Sequence, residues 1–237
     1  MDKVKEIAKM IDHSILHPTF TDDDLRRECE TAVKYDVASV CVKPYAVGMA
    51  AELLKGSDVL VGAVIGFPAG NSAIDVKVFE TETACRDGAK EIDMVINIGK
   101  VLQGDWDYIA QEVRAVVDAS HKYGAITKVI FETDYVTKDG QKIKLCEICS
   151  EAGADYVKTS TGYGFVKGAD GKYSYTGATA HDIELMRKHC PLHVKIKAAG
   201  GVRTLGDLLK LKELGISRCG ATATASMLDE ARKIFGE

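Results

Sequence analysis

No apolar run in this 237-residue chain reaches the length that spans a bilayer, and Met1-Asp2-Lys3-Val4-Lys5-Glu6 opens as an amphipathic helix rather than a signal peptide. These two absences speak against a membrane protein and lead to the expectation of a cytoplasmic one. An excess of positive charge is also missing. With 31 Lys and Arg against 35 Asp and Glu, the net charge of −4 argues against a nucleic-acid binder, which would show a basic face. A small anionic substrate remains compatible, because a local pocket can be positive on a mildly acidic protein. There is no linker and no low-complexity tract, so residues 1–237 are expected to form one domain.

Paired metal ligands are missing too. The seven cysteines are odd in number and scattered, which does not describe a disulfide framework. Cys146-Glu147-Ile148-Cys149 has redox or metal spacing, yet it sits in a helical pattern over 144–152 with no second pair to complete a zinc site. Buried helix thiols acting as small hydrophobes are the simpler reading. The six histidines form no paired-ligand motif; His13 and His17 are four apart, but Pro18 prevents a regular helix there. Neither a Gly-x-Ser-x-Gly elbow nor a phosphate-binding Gly-Lys-Ser/Thr loop is present. The expectation is an enzyme with no metal and no organic cofactor.

What is present is a regular alternation. Strand-like runs at 11–16, 37–42, 59–65, 91–98, 127–131, 156–159, 193–198 and 217–220 are each followed by a helical pattern, after an extra helix at the N-terminus. Strand–helix alternation implies parallel strands buried by crossover helices, and eight such units at this length predict a (β/α)₈ TIM barrel. The rival, a doubly wound open sheet, would carry a glycine-rich dinucleotide turn, and Gly66-Phe67-Pro68-Ala69-Gly70 lacks that spacing. One loop breaks the rhythm. After the sixth strand, Phe-Val-Lys and Lys-Tyr-Ser-Tyr flank a Gly-Ala-Asp-Gly turn, which predicts an inserted β-hairpin within 163–176. A lid over a site and a decorative surface hairpin are both open readings.

Two strands end in lysine followed by small residues: Tyr156-Val157-Lys158-Thr159-Ser160-Thr161-Gly162 and Val194-Lys195-Ile196-Lys197-Ala198-Ala199-Gly200-Gly201. A strand-end lysine is ordinarily a solvated surface cation. Two of them side by side suggest chemistry, since an ammonium beside a second cation loses its proton more easily and the free amine can attack a carbonyl. Period two places Lys195 and Lys197 on one face, so Lys195 is expected one layer deeper than Lys197, where it would need an acid partner or a depressed pKa. Spacing alone does not choose between these two. Asp93 is an acid in an otherwise apolar strand, fit either for an ion pair with Lys195 or Lys197 or for proton transfer beside a reacting lysine; Asp12 and Glu132 have weaker claims of the same kind. In a barrel, the loops after the seventh and eighth strands often bind phosphate. Here they carry Gly200-Gly201 and Gly220-Ala221-Thr222, whose backbone amides could approach an anion.

These residues resemble the deoxyribose-phosphate aldolase family, class I Schiff-base aldolases on a TIM barrel. The likeness runs through nearly the whole chain: Ile11-Asp12-His13, Val40-Cys41-Val42, Val64-Ile65-Gly66-Phe67-Pro68, Glu91 to Gly99, the Lys158 motif and Lys197-Ala198-Ala199-Gly200-Gly201-Val202-Arg203-Thr204. The resemblance implies a lyase of deoxyribonucleoside catabolism that reversibly cleaves 2-deoxy-D-ribose 5-phosphate to acetaldehyde and D-glyceraldehyde 3-phosphate. It implies that Lys158 forms the Schiff base, Lys197 depresses its pKa and Asp93 takes part in proton transfer. Gly162, Gly200, Gly201, Gly220, Ala221 and Thr222 would bind substrate and phosphate, with Asp12, Cys41, Thr159 and Lys195 in support. Lys197 is the family position and Lys195 a departure. The hairpin, His17 and Lys43 in place of a lysine and an asparagine, and Ala221-Thr222 in place of a small residue and serine are further departures. A homodimer or homotetramer is expected, with small sugar-phosphate and aldehyde substrates as its partners and neither nucleic acid nor membrane. The alternatives are the same Schiff-base chemistry on another sugar phosphate or an unphosphorylated aldehyde, which a panel of acceptors would reveal, and a non-catalytic sugar-phosphate-binding barrel, which would bind ligand without forming an imine.

Overall fold

A computed structural model describes residues 2–236 of the chain. After helix α1 (Lys3–Ala8), strands and helices alternate: β1 (Ile11–Ile15), α2 (Asp22–Lys34), β2 (Ser39–Val42), α3 (Val47–Leu53), β3 (Leu60–Ile65), α4 (Ile74–Arg86), β4 (Glu91–Val95), α5 (Ile98–Gln103), α6 (Trp106–His121), β5 (Ile126–Ile130), α7 (Asp139–Ala152) and β6 (Tyr156–Lys158). A small hairpin follows, β7 (Val166–Lys167) and β8 (Tyr173–Ser174), then α8 (Ala180–His189), β9 (Lys195–Ala199), α9 (Leu205–Glu213), β10 (Arg218–Ala221) and α10 (Thr224–Phe235). Eight strands close into a parallel barrel in the order β1-β2-β3-β4-β5-β6-β9-β10, with β10 returning to β1. The predicted (β/α)₈ barrel, its extra N-terminal helix and the inserted hairpin are all present. Among the described residues no helix is long and apolar enough to cross a membrane.

The local reasons for these elements are readable. Thr21 and Asp24 form a reciprocal capping box at the start of α2, and Thr204 with Asp207 repeats it at α9. Strands such as β2 and β4 are buried along their whole length, because one face fills the barrel and the other packs beneath helices. The fourth strand is shorter than expected: it stops at Val95 instead of running to 98. Asn97 turns the chain there, its side chain accepting from Lys100 N to cap α5, which Gly104 ends in a left-handed conformation (φ +80°).

Candidate active site

A closed barrel turns alternate residues of every strand inward, so polar residues far apart in sequence can meet at its centre. Register pairs Asp93 of β4 with Lys128 of β5, and Lys158 of β6 with Lys197 of β9. Lys158 Nζ and Lys197 Nζ both donate to Asp93 Oδ2, each at 2.7 Å. Lys128 Nζ donates to Asp93 Oδ1 at 3.0 Å and to Glu91 Oε2 at 2.5 Å. Asp12 Oδ2 lies 2.6 Å from Lys197 Nζ and 3.2 Å from Lys128 Nζ, while Asp12 Oδ1 accepts from Ser39 Oγ at 2.8 Å and from Arg218. Arg218 Nη2 donates to Glu91 Oε1 at 2.6 Å. All three carboxylates are fully buried, and the three lysines nearly so.

Four basic groups thus face three carboxylates inside the barrel. The arrangement balances if one base is neutral, and the surroundings select which. Burial pulls the Lys158 amine below its ordinary pKa; Asp93 opposes this, and the neighbouring Lys197 ammonium adds to it. Lys197 is buried just as deeply, but Asp12 and Asp93 together hold its pKa above the ordinary value. Burial alone would raise the Asp93 and Asp12 carboxyls; the surrounding cations outweigh it and hold both below the usual range. Lys158 is the base with the weakest hold on its proton.

Above this cluster opens a cleft of about 450 Å³. Lys158 and Lys197 stand at its floor with Asp12 and Cys41, and Asp93 lies beneath the lysines. Gly162, Gly200, Gly201, Gly220, Ala221 and Thr222 all line it, so the anion-binding candidates and the lysine pair share one cavity. Gly200 and Gly201 have φ of +83° and +80°, a turn that side chains rarely allow, just ahead of α9. Thr222 lies before the N-terminus of α10, whose dipole adds positive potential on that side. Arg203 reaches the same cleft. Leu16, Cys41 and Val64 form a small apolar cluster apart from the main core, packed with Phe67 and Tyr163. Burial pushes the Cys41 thiol up to about 11, so it is an apolar wall rather than a nucleophile. Thr159 lies outside the cleft lining and ties the strand ends together: its Oγ1 donates to Ala199 O and accepts from Ala199 N, both at 3.1 Å.

Lys195 is not where parity placed it. It shares the inward side with Lys197, but β9 begins at Lys195, where the barrel opens at its N-terminal end. Its side chain is exposed, with the ammonium 5.8 Å from the Tyr156 ring centre, and it pairs with neither Asp93 nor Asp12. The deeper position belongs to Lys128, which sequence reasoning passed over together with Glu91 and Arg218. The signal was available, because Lys128 interrupts an apolar strand just as Asp93 does. Glu132 proves more than a weak candidate. Buried at φ +53°, it accepts from Thr161 N at 3.3 Å and from Thr161 Oγ1, fixing the loop after Lys158. Burial raises its pKa.

The barrel and its mouth define a (β/α)₈ protein that presents a buried lysine amine to a glycine-lined, small-molecule cleft. The chain belongs to the DeoC/LacD family of aldolases, whose family model matches residues 6–226. It is 48% identical over 231 residues to a deoxyribose-phosphate aldolase of Rhodopirellula baltica, covering 98% of this chain and 91% of that one. A Thermococcus gammatolerans protein of the same name is 45% identical over 229 residues, covering 96% of this chain and 97% of its own. Among solved structures, the tetrameric deoxyribose phosphate aldolase of Aeropyrum pernix superposes with a TM-score of 0.85 at 27% identity, over 98% of this chain and 93% of that one.

Proposed function

We propose that the chain is a lyase that reversibly cleaves 2-deoxy-D-ribose 5-phosphate to acetaldehyde and D-glyceraldehyde 3-phosphate through a Schiff base on Lys158. The observation that carries this is the sharing of one Asp93 oxygen by Lys158 and Lys197 at the floor of a cleft whose far side is built from glycine loops. The names of relatives at 45 to 48% identity support the substrate.

In this reading the neutral Lys158 amine attacks C1 of the open-chain sugar, and loss of water from the carbinolamine leaves an iminium. The 3-hydroxyl gives up its proton, the C2–C3 bond breaks, and its electrons enter the iminium to form an enamine. Glyceraldehyde 3-phosphate leaves, C2 takes a proton, and hydrolysis releases acetaldehyde and the free lysine. Asp93, with Lys197 and a water, is suited to move these protons. The iminium is the electron sink, so the steps as written call on no metal or organic cofactor. The amides of Gly200, Gly201 and Gly220 with the Thr222 hydroxyl would hold the phosphate, and the apolar cluster of Leu16, Cys41 and Val64 suits the methyl of acetaldehyde. With this reading go one aldolase domain over residues 1–237, a cytoplasmic location and assembly as a homodimer or homotetramer, the Aeropyrum pernix relative being a tetramer.

The test is reductive trapping. Acetaldehyde followed by borohydride should leave a two-carbon adduct on the peptide containing Lys158, and Lys158→Leu should lose both adduct and turnover while keeping its circular dichroism. An adduct on Lys197 instead, or appreciable turnover by the variant, would overturn the assignment.

A further inference from the structure

We propose that the hairpin β7–β8 is a fixed aromatic wall of the cleft, with Phe165 and Tyr175 as residues that decide which acceptor aldehyde the site takes. The inference rests on the Schiff-base reading above and deepens it. Phe165 and Tyr175 meet edge to face, ring centres 5.4 Å apart and planes at 90°, and both line the cavity that has Lys158 at its floor. Tyr163, at the start of the same loop, meets Phe67 in the same manner at 5.5 Å.

The hairpin is held at both ends. At its start, Tyr135 Oη donates to Phe165 O at 3.0 Å. At its end, Asp134 accepts from Thr176 N at 2.5 Å and from Gly177 N at 3.0 Å, and Ala178 N donates to Gly200 O at 3.0 Å. Gly177 sits so close to the glycine turn that a Cβ there would lie 2.4 Å from Gly200 O. One end of the wall is therefore joined to the proposed phosphate loop and the other runs back to Lys158. A substrate stretched between those two points lies along it. Behind the hairpin is a second cavity of about 430 Å³, and Tyr175 lines both, so the wall is a single layer thick.

Such a wall limits width. A short aldehyde carrying phosphate passes along it to the glycine turn, whereas an aldehyde with a long alkyl chain has no anion to anchor it and meets the rings. Among the described residues neither the Tyr163 nor the Tyr175 hydroxyl has a protein hydrogen-bond partner, which leaves both free to face a polar acceptor.

The experiment compares acceptors with acetaldehyde as the common donor. For Phe165→Ala/Tyr175→Ala, the ratio of kcat/KM for hexanal to that for D-glyceraldehyde 3-phosphate should rise at least about tenfold over the parent chain, the scale on which apolar pocket walls discriminate. Phe165→Leu keeps an apolar side chain and should move the ratio the same way by a smaller factor. Borohydride trapping of acetaldehyde alone separates Schiff-base formation from acceptor selection. If the parent chain forms no adduct on Lys158, the aldolase reading fails. If the parent and Phe165→Leu both form it and no variant that forms it changes the ratio, the wall is not a selectivity element and the proposal is overturned.

Discussion

Lys158 and Lys197 meet the same oxygen of Asp93, yet their protons are held with opposite firmness. Burial lowers the Lys158 pKa, its one acid contact offsets this only in part and the cation beside it adds to it; Lys197, buried as deeply, lies between Asp12 and Asp93, so its pKa is raised. The reactive form of Lys158 is the free amine, whose fraction grows as pH rises through the lowered pKa. Replacing Lys197 by Met removes the neighbouring cation and leaves Asp93 Oδ2 to Lys158 alone, and each change raises the Lys158 pKa. The ascending limb of the pH profile of kcat/KM should therefore move to higher pH. Activity near neutrality should fall about 100-fold, with part of it regained at higher pH. A fall with an unmoved limb would mean that Lys197 transfers protons without setting the Lys158 pKa. Strand-end lysines ahead of small residues brought Lys158 and the Lys195–Lys197 stretch forward, and only the family resemblance singled out Lys197. Sequence alone misjudged Lys195 because residue parity tells which way a side chain points and not how far along the barrel it sits. Lys128 is a single charge in a short strand, and only the barrel's closure brings it to Asp93, Glu91 and Asp12.

The loop between β5 and α7 shows how an element can matter without touching substrate. Glu132 holds the loop after Lys158, Tyr135 holds the start of the hairpin, and Asp134 holds its end against the glycine turn. Asp134→Ala removes the acceptor of two backbone amides, bonds of the charge-assisted kind worth about 1.5–3 kcal/mol. The hairpin should loosen while the barrel stays folded. The expected outcome is a KM for 2-deoxyribose 5-phosphate raised about tenfold with kcat within about threefold, together with new proteolytic cleavage confined to residues 163–177. Unchanged KM would show that the hairpin does not need this anchor. The hairpin itself was legible from its turn and flanking strands. Its choice between lid and decoration was not, since that depends on Asp134 and Gly200, which lie far from it in sequence. Helix α5 was lost in the fourth strand for the opposite reason: the cap at Asn97 and the glycine at 104 are local signals, but the apolar run that ends in Ile96 masked them.

At the scale of the whole molecule, the barrel closes around buried charge. Asp12 and Arg218 are 206 residues apart in the chain and meet because β10 pairs with β1. With Lys158 neutral, Lys128, Lys197 and Arg218 offset Asp12, Glu91 and Asp93. Lys128→Met leaves the carboxylates in excess inside the barrel and should cost about 3–5 kcal/mol of unfolding free energy, because an uncompensated buried charge is expensive. Adding Glu91→Gln restores the count. If charge balance is what matters, the double variant should be more stable than Lys128→Met alone, with a coupling of about 1–3 kcal/mol by urea denaturation. The pH dependence follows the same logic. Asp12 and Asp93 have folded pKa values below their unfolded ones, so their contribution is present above about pH 4 and is lost as pH falls through the depressed folded values. Without Lys128 those values are less depressed, so acid unfolding followed by circular dichroism should begin at a higher pH than in the parent chain. An unmoved acid transition, or a double variant no more stable than the single one, would mean that Lys128 contributes packing and not charge.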